Sequence, residues 1–184
     1  QFPLSFNASM EHRSWLFRLV TTFNEWPLFV EFRHTSWHTP NTLQFLQENK
    51  LGLVNVDQAL SAEAWPLTAL RVGRDAYFRL HGRNSTAWFS NDASKEERSN
   101  YLYSSPDLDE IERTVQEAGH SARSVHVAFT NGLDAQGICN AFQLSHLLTK
   151  TKKEIPYELL LAFPKLTAIR SRSRQNQLDL FDEI

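Results

Sequence analysis

The chain has 184 residues, of which 41% are hydrophobic and 12% aromatic, so it can form about one domain with an ordinary core. Its 19 basic and 21 acidic residues give a net charge of -2, which argues against a protein coated in positive charge for binding duplex DNA. The single cysteine excludes an intrachain disulfide and a multi-cysteine zinc site. No apolar run approaches the roughly 20 residues of a membrane helix. These features predict a cytoplasmic protein without a membrane partner.

The first half of the chain alternates between helical and extended patterns. Apolar residues recur at helical spacing over residues 11–24, and a second helix is predicted to begin at Pro40. Short apolar runs predict strands over residues 28–32, 53–57 and 76–81.

The second half continues this alternation after a long polar stretch. Residues 83–106 are polar apart from a few aromatic side chains, and the stretch is too long for a simple connection. A helix over residues 108–118, a strand over 124–129 and a helix over 135–148 follow. Short strands alternating with amphipathic helices indicate parallel βαβ units, so the fold class is α/β, as either a barrel or an open doubly wound sheet. No Gly-x-Gly-x-x-Gly or Walker sequence follows a strand, which argues against dinucleotide and P-loop proteins.

Polar side chains lie at or just after the end of every predicted strand, where ligands gather in both architectures. They are Glu31, Arg33, His34, Asp57, His81, Arg83, Thr130 and Asn131. Structural alternatives exist for several of them: Glu31 and Arg33 can pair with each other, Asp57 can cap a turn, and His34 can cap a loop. Arg79 is on the same strand face as His81, and an inward arginine normally requires an acidic partner such as Glu31.

Two chemistries fit this set of residues. A site for a divalent metal ion, as in phosphodiester hydrolases, would use carboxylate and imidazole groups from Glu31, His34, Asp57 and His81. An anion pocket would bind its ligand through Arg33, Arg79, Arg83 and Asn131, with Glu31 or His81 as acid or base. Over both alternatives, the candidate catalytic residues are Glu31, His34 and His81, and the candidate ligand-binding residues are Arg33, Asp57, Arg79, Arg83 and Asn131. Three arginines among the candidates favour the anion pocket and a phosphate-containing ligand. The identity of any metal ligands stays open.

Several segments of the chain match a known family pattern in order and spacing. They are residues 31–37, 77–83 and 127–131, together with residues 1–3 and Asn140-Ala141. Over roughly residues 1–150 the chain resembles the YecE-like family, domain of unknown function 72. The resemblance implies a partial TIM-like (β/α) barrel of about the last five βα units, without the first three, so the chain is expected to be a fragment. Thr130 departs from the asparagine usual in the family, and the family implies no established activity.

The end of the chain differs in character from the rest. Residues 1–164 are predicted to form the partial barrel, and residues 165–184 a flexible tail without apolar periodicity. Within the tail, residues 177–181 resemble the binding motif for the bacterial DNA sliding clamp, with apolar side chains that would enter a pocket and a glutamine that would bond at its rim. The residues expected to bind the partner are Gln177, Leu178, Leu180 and Phe181. The alternative is a tail that packs on its own barrel.

Three functions agree with these features. The first is an enzyme-like barrel that acts on a phosphorylated or nucleic-acid ligand and is tethered to DNA through the clamp. The second is a non-catalytic barrel that binds an anion or another protein. The third is a metabolic enzyme for a small phosphorylated ligand. The sequence does not choose between enzyme and binding protein.

Overall fold

The computed structural model describes residues 1–171 of the chain. The clamp-like motif at residues 177–181 lies outside the described residues, and with it Gln177, Leu178, Leu180 and Phe181. No helix within residues 1–171 is long and apolar enough to cross a membrane.

A parallel sheet of four strands forms the centre of the fold and confirms the α/β class. The strands are β1 (Phe29–Val30), β2 (Gly52–Asp57), β3 (Ala76–Leu80) and β4 (Val125–Phe129). They lie side by side in chain order, β1-β2-β3-β4, and every neighbouring pair is parallel. Within residues 1–171 the sheet is open, because β1 and β4 are not paired with each other.

The expected fifth βα unit has no strand of its own among the described residues. The extended opening of the chain runs beside β1 but makes a single backbone hydrogen bond there, from the N–H of Phe2 to the carbonyl of Glu31 (3.1 Å). One bond is too few to form a ladder, so residues 1–3 do not count as a strand.

Within residues 1–171, seven α-helices precede, connect or follow these strands. They are α1 (Met10–Thr22), α2 (Pro40–Glu48), α3 (Ser85–Trp88), α4 (Lys95–Ser99), α5 (Ser105–Gly119), α6 (Gln136–Thr149) and α7 (Tyr157–Ala162). Short 3₁₀ helices cover Thr35–Trp37, Leu133–Ala135 and Pro164–Ile169. The four long helices agree with the periodicity of the sequence, and capping side chains begin three of them. Ser9, Thr39 and Ser104 accept hydrogen bonds from the first turns of α1, α2 and α5.

The two short helices α3 and α4 lie in the polar stretch at residues 83–106, where no helix was predicted. Each is only about one turn long, so neither shows an apolar period. Their starts depend on caps instead: Asn84 accepts from the N–H of Ala87, and Ser94 forms a capping box with Glu97. Capping side chains therefore determine where α3 and α4 begin, and hydrophobic periodicity does not predict either helix.

The two faces of β3 show how the sheet separates its core from its site. Ala76, Phe78 and Leu80 are buried against α5 and α6, in an apolar cluster that includes Leu108 and Ile111. The alternate residues Tyr77 and Arg79 point to the opposite face and are half-buried. Because side chains alternate along a strand, the polar residues at the strand ends are also divided between two faces.

Packing continues past residue 164, where the sequence places the start of the tail. Leu166 is fully buried in the last 3₁₀ helix, against Cys139 of α6 and Leu159 of α7. The N–H of Ser171 donates to the carbonyl of Lys153 (2.7 Å), so the chain stays in contact with the segment between α6 and α7 up to the end of the described residues.

Candidate functional site

The carboxyl ends of the strands bring together side chains from β1 and β3. Glu31 follows β1 directly, Arg79 lies in β3, and His81 follows β3. Strand β2 separates β1 from β3, yet the three side chains reach each other on the face of the sheet that α5 and α6 leave open. Arg33, two residues beyond Glu31, joins them. We call Glu31, Arg33, Arg79 and His81 the Glu31 cluster.

The Glu31 carboxylate is the centre of this cluster and is 2% exposed. Its Oε1 atom accepts a hydrogen bond from Nε of Arg33 (3.1 Å) and lies 3.0 Å from Nε2 of His81. Its Oε2 atom accepts from Nη1 of Arg79. Both contacts agree with the sequence-based expectations, that Glu31 and Arg33 can pair with each other and that Arg79 requires an acidic partner such as Glu31.

The charges of the cluster determine its protonation. Burial alone would raise the pKa of the Glu31 carboxyl, but the hydrogen bond from His81 and the positive charges of Arg33 and Arg79 outweigh burial and lower that pKa to about 2. Burial is also the largest influence on His81, and with the two arginines it lowers the pKa of the imidazole below its ordinary value of 6.5. Near neutral pH, Glu31 is therefore ionised and His81 is neutral.

Thr130, at the end of β4, completes the contacts of His81. Its hydroxyl oxygen lies 2.6 Å from Nδ1 of His81. With its proton on Nε2, a neutral imidazole donates to Glu31, and Nδ1 then competes with the carbonyl of Leu80 (3.1 Å) for the single proton of the Thr130 hydroxyl. The residue that departs from the family pattern thus contacts the candidate site directly.

Both arginines keep unused hydrogen-bond donors. Within residues 1–171, Nη1 of Arg33 and the Nε and Nη2 atoms of Arg79 make no hydrogen bond, and the two side chains are 15% and 22% exposed. Two guanidinium groups face one carboxylate, so with a neutral His81 the cluster carries one net positive charge. The arrangement is a fixed pair of donors for an anion.

Arg83 and Asp57 form a second cluster, on the other side of the sheet. In the register of β2 and β3, Val56 is opposite Arg79 and Asp57 is opposite Leu80, so Asp57 points toward the helices. Nε and Nη2 of Arg83 donate to Asp57 (2.9 and 2.7 Å). Its Nη1 donates to Asp107 (3.2 Å) and Glu110 (2.9 Å).

These contacts occupy Arg83 with three carboxylates, and the cluster is negative overall. Burial opposes the charged guanidinium, but the hydrogen bond and charge of Asp57 prevail and raise the pKa of Arg83 further. Arg83 and Asp57, both predicted to bind ligand, are thus paired with each other, and Arg83 is paired with Asp107 and Glu110 as well.

A tight turn at Gly82 links the two clusters. Gly82 has a φ of +92°, and its N–H donates to the hydroxyl of Tyr103 (2.8 Å), which in turn donates to Oδ2 of Asp57 (2.6 Å). A Cβ atom on Gly82 would lie 2.7 Å from Cβ of Tyr101. Because His81 and Arg83 flank this glycine, the turn determines where each side chain points.

Two other predicted residues lie apart from the Glu31 cluster. Nδ1 of His34 accepts from the N–H of Ser36 (3.0 Å) and caps the first 3₁₀ helix, in agreement with the structural alternative. Asn131 is buried, and its amide donates to the carbonyl of Tyr101 (2.7 Å) and to Oδ1 of Asn140 (3.0 Å). Both side chains hold loops in place.

The four residues predicted as metal ligands do not lie together in the structure. Glu31 and His81 are together, but His34 caps a helix and Asp57 points to the opposite face of the sheet. In the part of the chain that the structure describes, no group of three His, Cys, Asp or Glu side chains is placed to hold a metal ion.

Sequence reasoning missed two residues of this region, Trp88 and Tyr103. The indole ring of Trp88 lies 5.4 Å from the guanidinium carbon of Arg33, and Tyr103 supports the Gly82 turn. Both belong to the polar stretch at residues 83–106. The sequence feature that could have identified them is the presence of aromatic side chains in a segment without apolar periodicity.

The chain is similar to a known protein family and to a curated protein. The family model described as a protein of unknown function, DUF72, matches residues 1–165. The UPF0759 protein YunF of Bacillus subtilis is 27% identical over 157 residues, which cover 80% of this chain and 56% of that protein.

Two solved structures are similar to the fold. A DUF72 family protein of Thermotoga maritima is 34% identical, with a TM-score of 0.74, over 80% of this chain and 55% of that one. A DUF72 family protein of Enterococcus faecalis is 28% identical, with a TM-score of 0.74, over 85% of this chain and 61% of that one. The chain spans a little over half the length of these relatives.

Proposed function

The chain belongs to the DUF72 family of proteins of unknown function, as its strand-end motifs predict, and we propose that its Glu31 cluster binds a phosphate-containing ligand. The proposal is supported by the two arginines on one buried carboxylate, which leave one net positive charge and unused guanidinium N–H groups at an accessible position. A planar guanidinium matches the geometry of phosphate oxygens and donates two parallel hydrogen bonds.

Glu31 has a positioning role in this proposal rather than the catalytic role expected from sequence. A carboxyl group with a pKa of about 2 cannot donate a proton near neutral pH. Its contacts with Arg33 and Arg79 hold both guanidinium groups before a ligand arrives. Binding then orders few side chains, which preserves affinity.

His81 is the residue that we propose for proton transfer, if the protein is an enzyme. Its imidazole is neutral near pH 7 and lies beside both arginines, with Arg33 Nη2 3.2 Å from its Nε2 atom. A bound phosphate would stabilise the protonated ring, so the group can take up a proton as the anion binds. A binding protein without catalysis would use the same contacts, and the geometry agrees with either.

Calorimetric titration of the full chain with inorganic phosphate and pyrophosphate tests the proposal. We expect binding to the wild type, and at least about a tenfold loss of affinity in Arg79→Gln. The matched control is Arg123→Gln, which removes an arginine paired with Asp75 before β4, away from the cluster. Absence of binding to the wild type, or equal losses in the two variants, would contradict the proposal.

We also propose that the sheet is part of a (β/α) barrel. The strands lie in chain order, without the reversal of order that marks a doubly wound sheet. Helices α5 and α6 cover one face, while the Glu31 cluster occupies the other, which corresponds to the interior of a barrel. The two similar solved structures, each with a TM-score of 0.74, belong to the DUF72 family, and the family resemblance implies a TIM-like barrel.

A second proposed function is attachment to the bacterial DNA sliding clamp through residues 177–181. The supporting observation is the sequence itself, Gln-Leu-Asp-Leu-Phe. A peptide of residues 174–184 should bind the clamp, and Leu180→Ala with Phe181→Ala should abolish binding because both apolar anchors are removed. Asp182→Asn is the control. Unchanged affinity in the double variant would eliminate this proposal.

A further inference from the structure

Trp88 is an aromatic side chain outside every apolar core of the described chain. It ends α3, the short helix that follows the Gly82 turn. The three clusters of buried apolar residues include neither Trp88 nor its neighbour Phe89. Trp88 is partly exposed, and its neighbours are therefore not those of an apolar core.

The surroundings of Trp88 are the polar groups of the Glu31 cluster. Its ring centroid lies 5.4 Å from the guanidinium carbon of Arg33 and 6.3 Å from the ring centroid of His81. Within residues 1–171 the indole N–H makes no hydrogen bond, and the side chain is partly exposed. An aromatic ring and, among these residues, an unused donor therefore border the proposed phosphate position.

We infer that the ligand is a nucleoside phosphate, with its phosphate on Arg33 and Arg79 and its base stacked on Trp88. This inference rests on the phosphate site proposed above and adds the class of the ligand. Every nucleobase has a flat π face, and stacking on an aromatic side chain favours binding by roughly tenfold or more per base. A phosphate without a planar group would leave the indole face in water.

The contact with Arg33 gives Trp88 a second possible role, which is to hold the guanidinium group in position. The test must distinguish this role from stacking of a base. An indole over a guanidinium stabilises the position of that group through a cation–π interaction. Loss of this contact alone would weaken all phosphates equally. Loss of a stacking surface would weaken only ligands that carry a base.

Titration calorimetry with inorganic phosphate, ribose 5-phosphate and adenosine monophosphate separates these cases. In the wild type we expect adenosine monophosphate to bind roughly tenfold more tightly than ribose 5-phosphate. Trp88→Ala should remove this difference, whereas Trp88→Phe should retain most of it. The matched control is Phe89→Ala, which removes the adjacent aromatic residue, itself 46% exposed, and should leave the difference unchanged.

The outcomes distinguish failure of the nucleoside ligand from failure of the phosphate site on which it rests. Equal affinities of adenosine monophosphate and ribose 5-phosphate for the wild type overturn the nucleoside ligand and leave the phosphate site standing. A Trp88→Ala variant that weakens both ligands equally also overturns it. Failure of all three probes to bind eliminates the phosphate site and this inference together. A short oligonucleotide with a 5′-phosphate, compared with adenosine monophosphate, shows whether the nucleoside phosphate comes from a free nucleotide or from the end of a strand.

Discussion

The Nε2 atom of His81 lies 3.0 Å from the Oε1 atom of Glu31, across a sheet in which β2 separates their two strands. The contact joins positions 50 residues apart in the chain. It ties the end of β1 to the end of β3 on the open face of the sheet. The same carboxylate holds Arg33 and Arg79, so one buried residue organises every charged group of the candidate site.

Removal of the Glu31 charge should destabilise the fold. In Glu31→Gln, two guanidinium groups lose the one carboxylate that pairs with them among residues 1–171, and we expect the free energy of unfolding to fall by about 2–3 kcal/mol at pH 7. Urea denaturation followed by circular dichroism measures this. Glu48→Gln, at an exposed position on α2, should change it by less than about 0.5 kcal/mol. Similar losses in both variants would show that Glu31 is not the organising charge.

Acid should remove the advantage of the wild type over Glu31→Gln. The pKa of Glu31 is lowered from 4.5 to about 2 in the folded protein, so the unfolded chain binds the proton more readily. The contribution of this group is complete above about pH 4.5 and is lost as the pH falls through about 2. Urea denaturation of both proteins between pH 5 and 2 should give converging stabilities. A constant difference over this range would show that the pKa of Glu31 is not lowered.

Anion affinity should rise in mild acid because of His81. Burial and the two arginines lower the pKa of the imidazole, so the free protein holds it neutral at pH 7. A bound anion favours the protonated form, so the affinity for sulfate, which does not itself titrate in this range, should increase as the pH falls. Calorimetry from pH 7.5 to 5.5 measures this. His81→Asn should abolish the increase, whereas His126→Gln, at an exposed position on β4, should retain it.

The Tyr103 hydroxyl should stabilise the turn that carries His81. It accepts from the N–H of Gly82 and donates to Asp57, and the side chain is 2% exposed. Tyr103→Phe leaves both groups with one partner fewer and should lower the free energy of unfolding by about 1–3 kcal/mol. Tyr157→Phe, whose ring is 63% exposed, is the control and should have little effect in the same urea titration. Equal stability of Tyr103→Phe and the wild type would remove this role.

Gly82 should tolerate alanine less well than Gly73, although both have a positive φ. The φ angles are +92° and +83°, so a side chain is strained at either position. Only at Gly82 does a Cβ atom meet a neighbour, Cβ of Tyr101 at 2.7 Å, whereas nothing lies within 4 Å at Gly73. We expect Gly73→Ala to cost about 1 kcal/mol and Gly82→Ala about 3 kcal/mol, from thermal or urea unfolding. Equal costs would show that backbone strain alone matters.

The elements of the fold could be predicted because their signals are local. The apolar period of α1, α2, α5 and α6 reflects one buried face per helix, and the short runs of β2, β3 and β4 reflect strands between packed layers. The positions of polar residues at strand ends follow in the same way. The one-turn helices α3 and α4 were not predicted, because capping side chains rather than apolar periodicity determine them.

The sequence by itself therefore determined the α/β class, the family and the edge of the sheet at which polar groups collect. Only the tertiary structure decided which of those groups meet. Arg79 and His81 point to one face with Glu31, whereas Asp57 and Arg83 pair on the other with Tyr103, and His34 caps a helix. The physical reason is that contacts between residues about 50 positions apart depend on strand order, register and the alternation of faces, which no local pattern encodes.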